Sequence, residues 1–226
     1  MTPPPSPVPL PPPSFRLFVA TRSDGKAREI REIFADLPFV LAFPADRLFE
    51  RRPEEADLER GTTYAENAVA KARYFAERSG LPTCADDSGI EVDALGGAPG
   101  VHSARFGELY GERGQGNGEG DLDAENNALL LAKLAAVPLE RRGARYRCVV
   151  AYLQTPAAVP EIVEAVCEGA ILPEARGTGG FGYDPLFFSS DLGTSFGEAR
   201  PAAKHRVSHR GRAFRALIEV LLRRSL

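Results

Sequence analysis

Cysteine is too scarce in this chain of 226 residues to hold it together. The three thiols, Cys84, Cys148 and Cys167, are odd in number and none belongs to a C-x-x-C pair. That excludes a disulfide framework and a zinc knuckle, and fits reduced thiols in a cytoplasm. Histidine is equally rare. His205 and His209 stand four apart, as helical zinc ligands do, but no glutamate accompanies them in the H-E-x-x-H manner. No apolar run approaches the roughly 18–20 residues that a bilayer crossing needs, so no membrane partner is expected. The N-terminus lacks the basic and apolar segments of a secretory signal. A net charge of −3 gives no global pull toward nucleic acid or an anionic membrane. Lysine is also thin: only Lys26, Lys71, Lys133 and Lys204 stand among 28 cations. A coding bias toward arginine explains this, yet a lysine that survives such a bias can be one whose compact ammonium is needed.

What is present suits one large domain or two small ones, long enough for a sizeable core. Residues 1–14 form a tail. Eight of its first thirteen residues are proline, which favours extended polyproline II and predicts disorder. The domain spans 15–226. Phe15 to Ala20 is an apolar run, read as a buried strand. Ile30, Ile33, Phe34 and Leu37 recur at helical spacing and predict a helix over 26–37. Phe39 to Phe43 is a second strand. The small residues Ala65, Ala68, Val69, Ala72 and Ala76 mark a closely packed helix over 64–78. A short run, 81–85, meets Asp86-Asp87-Ser88-Gly89, and another strand is expected over 90–95. Five glycines within 111–120 predict a mobile loop. A helix follows over 124–135, then paired long strands over 144–153 and 161–168, a strand over 185–188 and a final helix over 211–224. Strands and helices interleave, so the fold class is α/β with a mixed sheet.

Several segments carry chemistry. Thr21-Arg22-Ser23-Asp24-Gly25-Lys26 joins a strand to a helix N-terminus, where backbone N–H groups and the helix dipole receive phosphate. It is no Walker A loop, and Ser23 or Asp24 can equally cap the helix. Asp86 and Asp87 are adjacent carboxylates, which repel unless cations lie near. In extended chain they face opposite ways, and one can hold magnesium or activate water; an Asp-Ser-Gly turn is the plainer alternative. Glu66 opens a helix and suits capping, whereas Glu59, in a loop, is free to be a second metal ligand. Gly177 to Gly182 reads G-x-G-x-x-G, but a strand follows it, which excludes a dinucleotide fingerprint. Phe181-Gly182-Tyr183-Asp184 sets aromatics beside glycine, either to stack on a base or to fill the core. The segment Lys204 to Gly211 concentrates positive charge before the last helix.

Taken in order, these segments resemble the inosine/xanthosine triphosphate pyrophosphatases, house-cleaning enzymes that remove non-standard purine nucleotides. The likeness is carried by Ala20-Thr21 to Lys26, Thr63 to Ala68, Ala85 to Gly89, Leu95 to Gly100, Ser103 to Phe106, Gly179 to Pro185 and Ser208 to Gly211. It implies an elongated mixed sheet flanked by helices, with two lobes around a substrate cleft, as a homodimer. It implies hydrolysis of ITP, dITP and XTP to monophosphate and pyrophosphate, with Mg2+. On this resemblance Asp87 is the general base and a metal ligand, and Glu59 the second metal carboxylate. Thr21 to Lys26 and Lys204 hold phosphates; Ser88, Phe181, Gly182, Tyr183, Asp184, His209 and Arg210 surround base and sugar. The chain departs from the family where Thr-Gly-Asn is replaced by Thr21-Arg22-Ser23, and where Ala203 precedes the lysine. Three rival readings are a nucleotide sensor, a nucleic-acid-binding module and a pyrophosphatase for modified pyrimidines. The intact Asp87, Glu59 and Lys204 weigh against the first and the net charge against the second.

Overall fold

An apolar strand without alternation needs cover on both faces, and β1 (Phe15–Val19) receives it. It lies between β2 (Phe39–Ala42) and β3 (Thr83–Val92), parallel to both. The computed structural model describes residues 15–110 and 119–224. The proline-rich tail and residues 111–118 of the glycine-rich segment lie outside the described residues. Seven strands form one mixed sheet in the order β2-β1-β3-β4-β5-β6-β7. From β3 onward all pairings are antiparallel, through β4 (Gly143–Leu153), β5 (Glu161–Ile171), β6 (Phe187–Ser189) and β7 (Thr194–Ser195). The fold is α/β with a mixed sheet, as the interleaved pattern predicts.

Helices cover both faces. α2 (Tyr64–Ser79) presses Ala68, Ala72, Phe75 and Ala76 onto Phe18, Ala85 and Ala151. On the other face α1 (Asp24–Ile33) and α5 (His209–Arg224) bury Ile30, Phe214 and Leu217 against Cys84, Cys148 and Val150. A third cluster gathers Phe106, Tyr146, Phe187 and Phe196 around Leu130 of α3 (Glu119–Lys133) and Leu134 just after it. No helix among the described residues is long and apolar enough to cross a membrane.

Three differences from expectation bear on the placement of the site. α1 starts at Asp24 because the Ser23 hydroxyl accepts from the Lys26 amide at 3.4 Å. It stops at Ile33, where Phe34 packs edge-on against Phe39 and Phe214; Pro38 disfavours helix at Leu37. β3 runs unbroken through Asp86-Asp87-Ser88-Gly89, in register with β4 from Thr83 to Val92, where a turn between two strands is expected. Gly89 is there for close approach, since a Cβ would lie 2.2 Å from the Gly100 carbonyl oxygen. The segment before the last helix is itself largely helical: α4 (Pro201–Val207) carries Lys204, and α5 already begins at His209.

The alanines of α2 set how closely that helix approaches the sheet. Ala72→Leu should overpack a site with no exposed surface, at a cost of about 1–3 kcal/mol. That corresponds to a thermal midpoint about 3–10 °C lower. An unchanged midpoint in calorimetry would show slack between α2 and the sheet.

Candidate active site

The pleat of β3 divides its two aspartates between the faces of the sheet. Asp87 turns toward α2. Its Oδ1 accepts from Lys71 Nζ and its Oδ2 from Asn67 Nδ2, both at 2.9 Å. Asn67 and Lys71 are four apart and so share a face of α2. The N-terminus of that helix is set by Thr63 and Glu66, whose carboxylate accepts from the Thr62 and Thr63 amides. Lys71 also donates to Glu59 Oε1 at 2.6 Å, so one ammonium bridges two carboxylates. The turn bearing Glu59 is tied down from two sides. Asn67 accepts from the Gly61 amide at 2.8 Å, and Arg105 donates to the Glu59 carbonyl. Lys71 holds the Glu59 carboxyl below its ordinary range. Burial disfavours the charged Lys71, but Asp87 and Glu59 outweigh it and keep the ammonium. Among the described residues no three potential ligands gather into a closed metal cage. Two carboxylates facing a cavity are the hard-oxygen set that Mg2+ uses when substrate oxygens and water complete its shell.

Asp86 turns to the opposite face and into a buried charge network. It accepts from Lys26 at 3.1 Å and from Arg210 at 3.2 Å. Arg210 also donates to Glu29 at 2.6 Å and to the Ser88 hydroxyl at 2.8 Å. Lys204 donates to Glu29 at 2.6 Å and to Asp184. Burial alone raises the Asp86 carboxyl, and Lys26 and Arg210 more than reverse it, holding it well below the usual carboxylate range. Glu29 behaves likewise: burial opposes its charge, but Arg210 and Lys204 bring the carboxyl down to about 2. At Asp184 burial is the larger effect and raises the carboxyl despite Lys204.

The turn between β5 and β6 supplies rings. Phe181 lies against the first turn of α1, where a Cβ on Gly25 would meet its ring at 2.7 Å, so the absent side chain makes room for the ring. The ring centroid is 5.3 Å from Lys204 Nζ and 5.5 Å from the Arg210 guanidinium carbon. The Gly182 backbone is gripped by α3: its amide donates to Asp123 at 2.6 Å and its carbonyl accepts from Asn127 at 3.0 Å. Tyr183 is buried, its hydroxyl donating to the Ser103 carbonyl at 2.8 Å. His209 stacks on Tyr146, centroids 4.4 Å apart. Burial, with Arg210 beside it, pushes the imidazole well below its ordinary value and keeps it neutral.

These parts meet around one cavity of about 500 Å3. Thr21, Arg22, Ser23, Lys26, Glu59, Asp87, Ser88, Phe181, Gly182, Tyr183, Asp184, Lys204, His209 and Arg210 all line it. Asp24 and Gly25 do not; they lie in the first turn of α1, with Asp24 exposed to solvent and Gly25 beneath Phe181. Arg22 lines the cavity but points its guanidinium at Glu55, 2.8 Å away, and at the Phe49 carbonyl, 2.7 Å away. The sequence reading overlooked Lys71, Asn67 and Glu29 as members of the site. A signal existed for Lys71: three of the four lysines line this cavity. Asn67 and Lys71 were also legible as the polar pair on an otherwise small-residue face.

A family model described as the Ham1 family matches residues 17–220. A dITP/XTP pyrophosphatase from Geobacter sulfurreducens is 48% identical over 202 residues, covering 89% of this chain and 94% of that protein. One from Thermus thermophilus is 43% identical over 205 residues, covering 91% of each. Among solved structures, a HAM1 protein from Coxiella burnetii is similar at a TM-score of 0.76 and 34% identity, covering 92% of this chain and 98% of that one. A nucleoside-triphosphatase / dITP/XTP pyrophosphatase from Mycobacterium abscessus gives 0.63 and 38%, covering 89% and 98%.

The charge network makes a pH-dependent contribution to stability. Glu29 has a lowered carboxyl in the folded state, so its contribution is present above the unfolded value of 4.5 and is lost as pH falls toward about 2. Glu29→Gln leaves Lys204 and Arg210 short of a buried counter-charge, a loss that typically costs about 3–5 kcal/mol. The variant's urea midpoint should lie well below the parent's at neutral pH, and the gap should narrow as pH falls below 4.5. A gap that stays constant with pH would show that Glu29 does not hold this charge.

Proposed function

The chain belongs to the Ham1 family, and we propose that it hydrolyses non-standard purine nucleoside triphosphates, ITP, dITP and XTP, to the monophosphate and pyrophosphate. One observation carries this: Asp87, oriented by Lys71 and Asn67, shares a cavity with both a helix N-terminus rich in donors and a pocket lined by aromatic rings. The names of the relatives, dITP/XTP pyrophosphatases, support it.

On this proposal Asp87 accepts a proton from the water that attacks the α-phosphorus. The α–β bridging bond breaks, and pyrophosphate leaves with the bridging oxygen. Lys71 and Asn67 each donate to Asp87, so the carboxylate has one orientation before substrate arrives. The Thr21 and Ser23 hydroxyls, the Lys26 amine and the N-terminal dipole of α1 take phosphate oxygens. Glu59 and Asp87 would hold Mg2+, which when bound offsets triphosphate charge and polarises phosphoryl oxygen. Phe181 and the neutral His209 line the part that receives the base. The His209 Nδ1 is buried and has no hydrogen-bond partner among the described residues. A donor aimed at a 6-oxo group accepts inosine and xanthosine and leaves the amino group of adenosine mispaired, a costly mismatch in a buried site.

Two measurements test this. In a pyrophosphate-release assay ITP, dITP and XTP should be turned over well ahead of ATP, and chelation should abolish activity until Mg2+ is restored. Equal turnover of ATP and ITP below saturation would defeat the base assignment, and undiminished activity under chelation the metal assignment. Asp87→Asn should lower turnover by at least about 10²–10⁴ while the protein stays folded. Asp86→Asn, which removes a carboxylate from between Lys26 and Arg210, should lower the thermal midpoint more and turnover less. The reverse pattern would move the general base to Asp86.

A further inference from the structure

Among the described residues, every lysine and arginine lining the cavity except one already has a partner. Lys71 holds Glu59 and Asp87, and Lys26 holds Asp86. Lys204 and Arg210 share Glu29, Arg105 donates to the Glu59 carbonyl, and Arg22 takes Glu55. Arg51 lines the same cavity and is exposed, with no anion or carbonyl partner among the described residues.

The backbone that presents it is nevertheless pinned. Arg22 donates to the carbonyl of Phe49 at 2.7 Å and to that of Glu50 at 3.3 Å. Arg78 donates to the same Glu50 carbonyl at 3.3 Å. On the far side the Arg52 amide donates to Glu55 at 3.3 Å. The Glu55 side chain, only 4% exposed, ties the clasp together by accepting from Arg22 and from Arg78 at 2.9 Å. Hydrogen bonds thus hold the chain immediately before and after Arg51, while its side chain stays free. Arg22 reaches out from between Thr21 and Ser23, so the clasp fastens the Arg51 strap to the phosphate end of the cavity rather than to the ring-lined part.

We propose that Arg51 is a phosphate-binding residue, which takes the β- and γ-phosphates of the substrate and the departing pyrophosphate, and that the Arg22–Glu55–Arg78 clasp positions it. A triphosphate brings more negative charge than a metal dication offsets, and the paired cations are already largely neutralised by carboxylates. An unpaired guanidinium offers two parallel donors to phosphate oxygens. The assignment rests on the triphosphate reading of the cavity.

The test is calorimetric titration of the whole protein with inorganic tripolyphosphate and with pyrophosphate, beside steady-state kinetics on ITP. Arg51→Gln should weaken both anions by about tenfold and raise KM for ITP with little change in kcat. Inhibition by IMP should be unchanged. Arg51→Lys should recover part of the affinity. Arg52→Gln, which removes the same charge from a side chain outside the cavity lining, should leave anion affinity unchanged. Arg22→Ala should weaken the anions too, and the Arg22→Ala/Arg51→Gln double variant should be no weaker than Arg51→Gln alone. Equal tripolyphosphate affinity in the parent and Arg51→Gln overturns the assignment, as does an equal loss in Arg52→Gln. A parent that binds tripolyphosphate through Arg51 yet hydrolyses no nucleotide would overturn the hydrolytic reading and uphold the anion site.

Discussion

β3 carries two adjacent carboxylates through the interior of a sheet covered on both faces, and its pleat forces them apart. Much of the surrounding structure answers that constraint. A buried carboxylate without a partner is untenable, so each face must bring cations to its own aspartate. On one face Lys71 from α2 meets Asp87; on the other Lys26 from α1 and Arg210 from α5 meet Asp86. Helices from three distant parts of the chain therefore contribute charge as well as apolar packing to the sheet.

The two aspartates differ in what remains after pairing. Asp86 is enclosed by Lys26 and Arg210, which are in turn fixed by Glu29, Ser88 and the helices that carry them. Asp87 keeps one side on the cavity, beside Glu59. Adjacent residues of one type thus take different places, one as an anchor of the core and one on the wall of the cavity. The lysines show why a compact ammonium suits such places. Lys71 and Lys204 each touch two carboxylates with one nitrogen, whereas Arg22, Arg78 and Arg210 spread several contacts over a planar fork.

The wall that faces the rings is built from backbone grip rather than charge pairing. Asp123 and Asn127, four apart on α3, hold the Gly182 amide and carbonyl, and Tyr183 anchors to Ser103. Gly25 leaves space for Phe181 at the start of α1. The helix whose N-terminal loop lines the cavity thus also supports the ring beside it, which couples the two ends of the cavity through one helix.

Local physics was legible without coordinates. The apolar runs marked β1, β2, β4 and β5, and the small-residue stripe marked α2, because burial and spacing act within a few residues. Capping by Ser23 and Glu66 was readable for the same reason. The opposition of Asp86 and Asp87 was implied by extended backbone alone. The sequence order of the motifs was enough to bring out the family. What stayed hidden was which segments meet. The unbroken course of β3 depends on β4 pairing across it and on a Gly100 carbonyl that only Gly89 admits. The helical state of Lys204 depends on α4 packing beside α5. The partners of Arg22 lie 27 and more residues away, on a strap with no periodic pattern to announce it. Residue types and spacing determined the elements and the chemistry at hand; tertiary contact decided which charges are already neutralised and which remain for a ligand, because pairing is a property of distance in space and not along the chain.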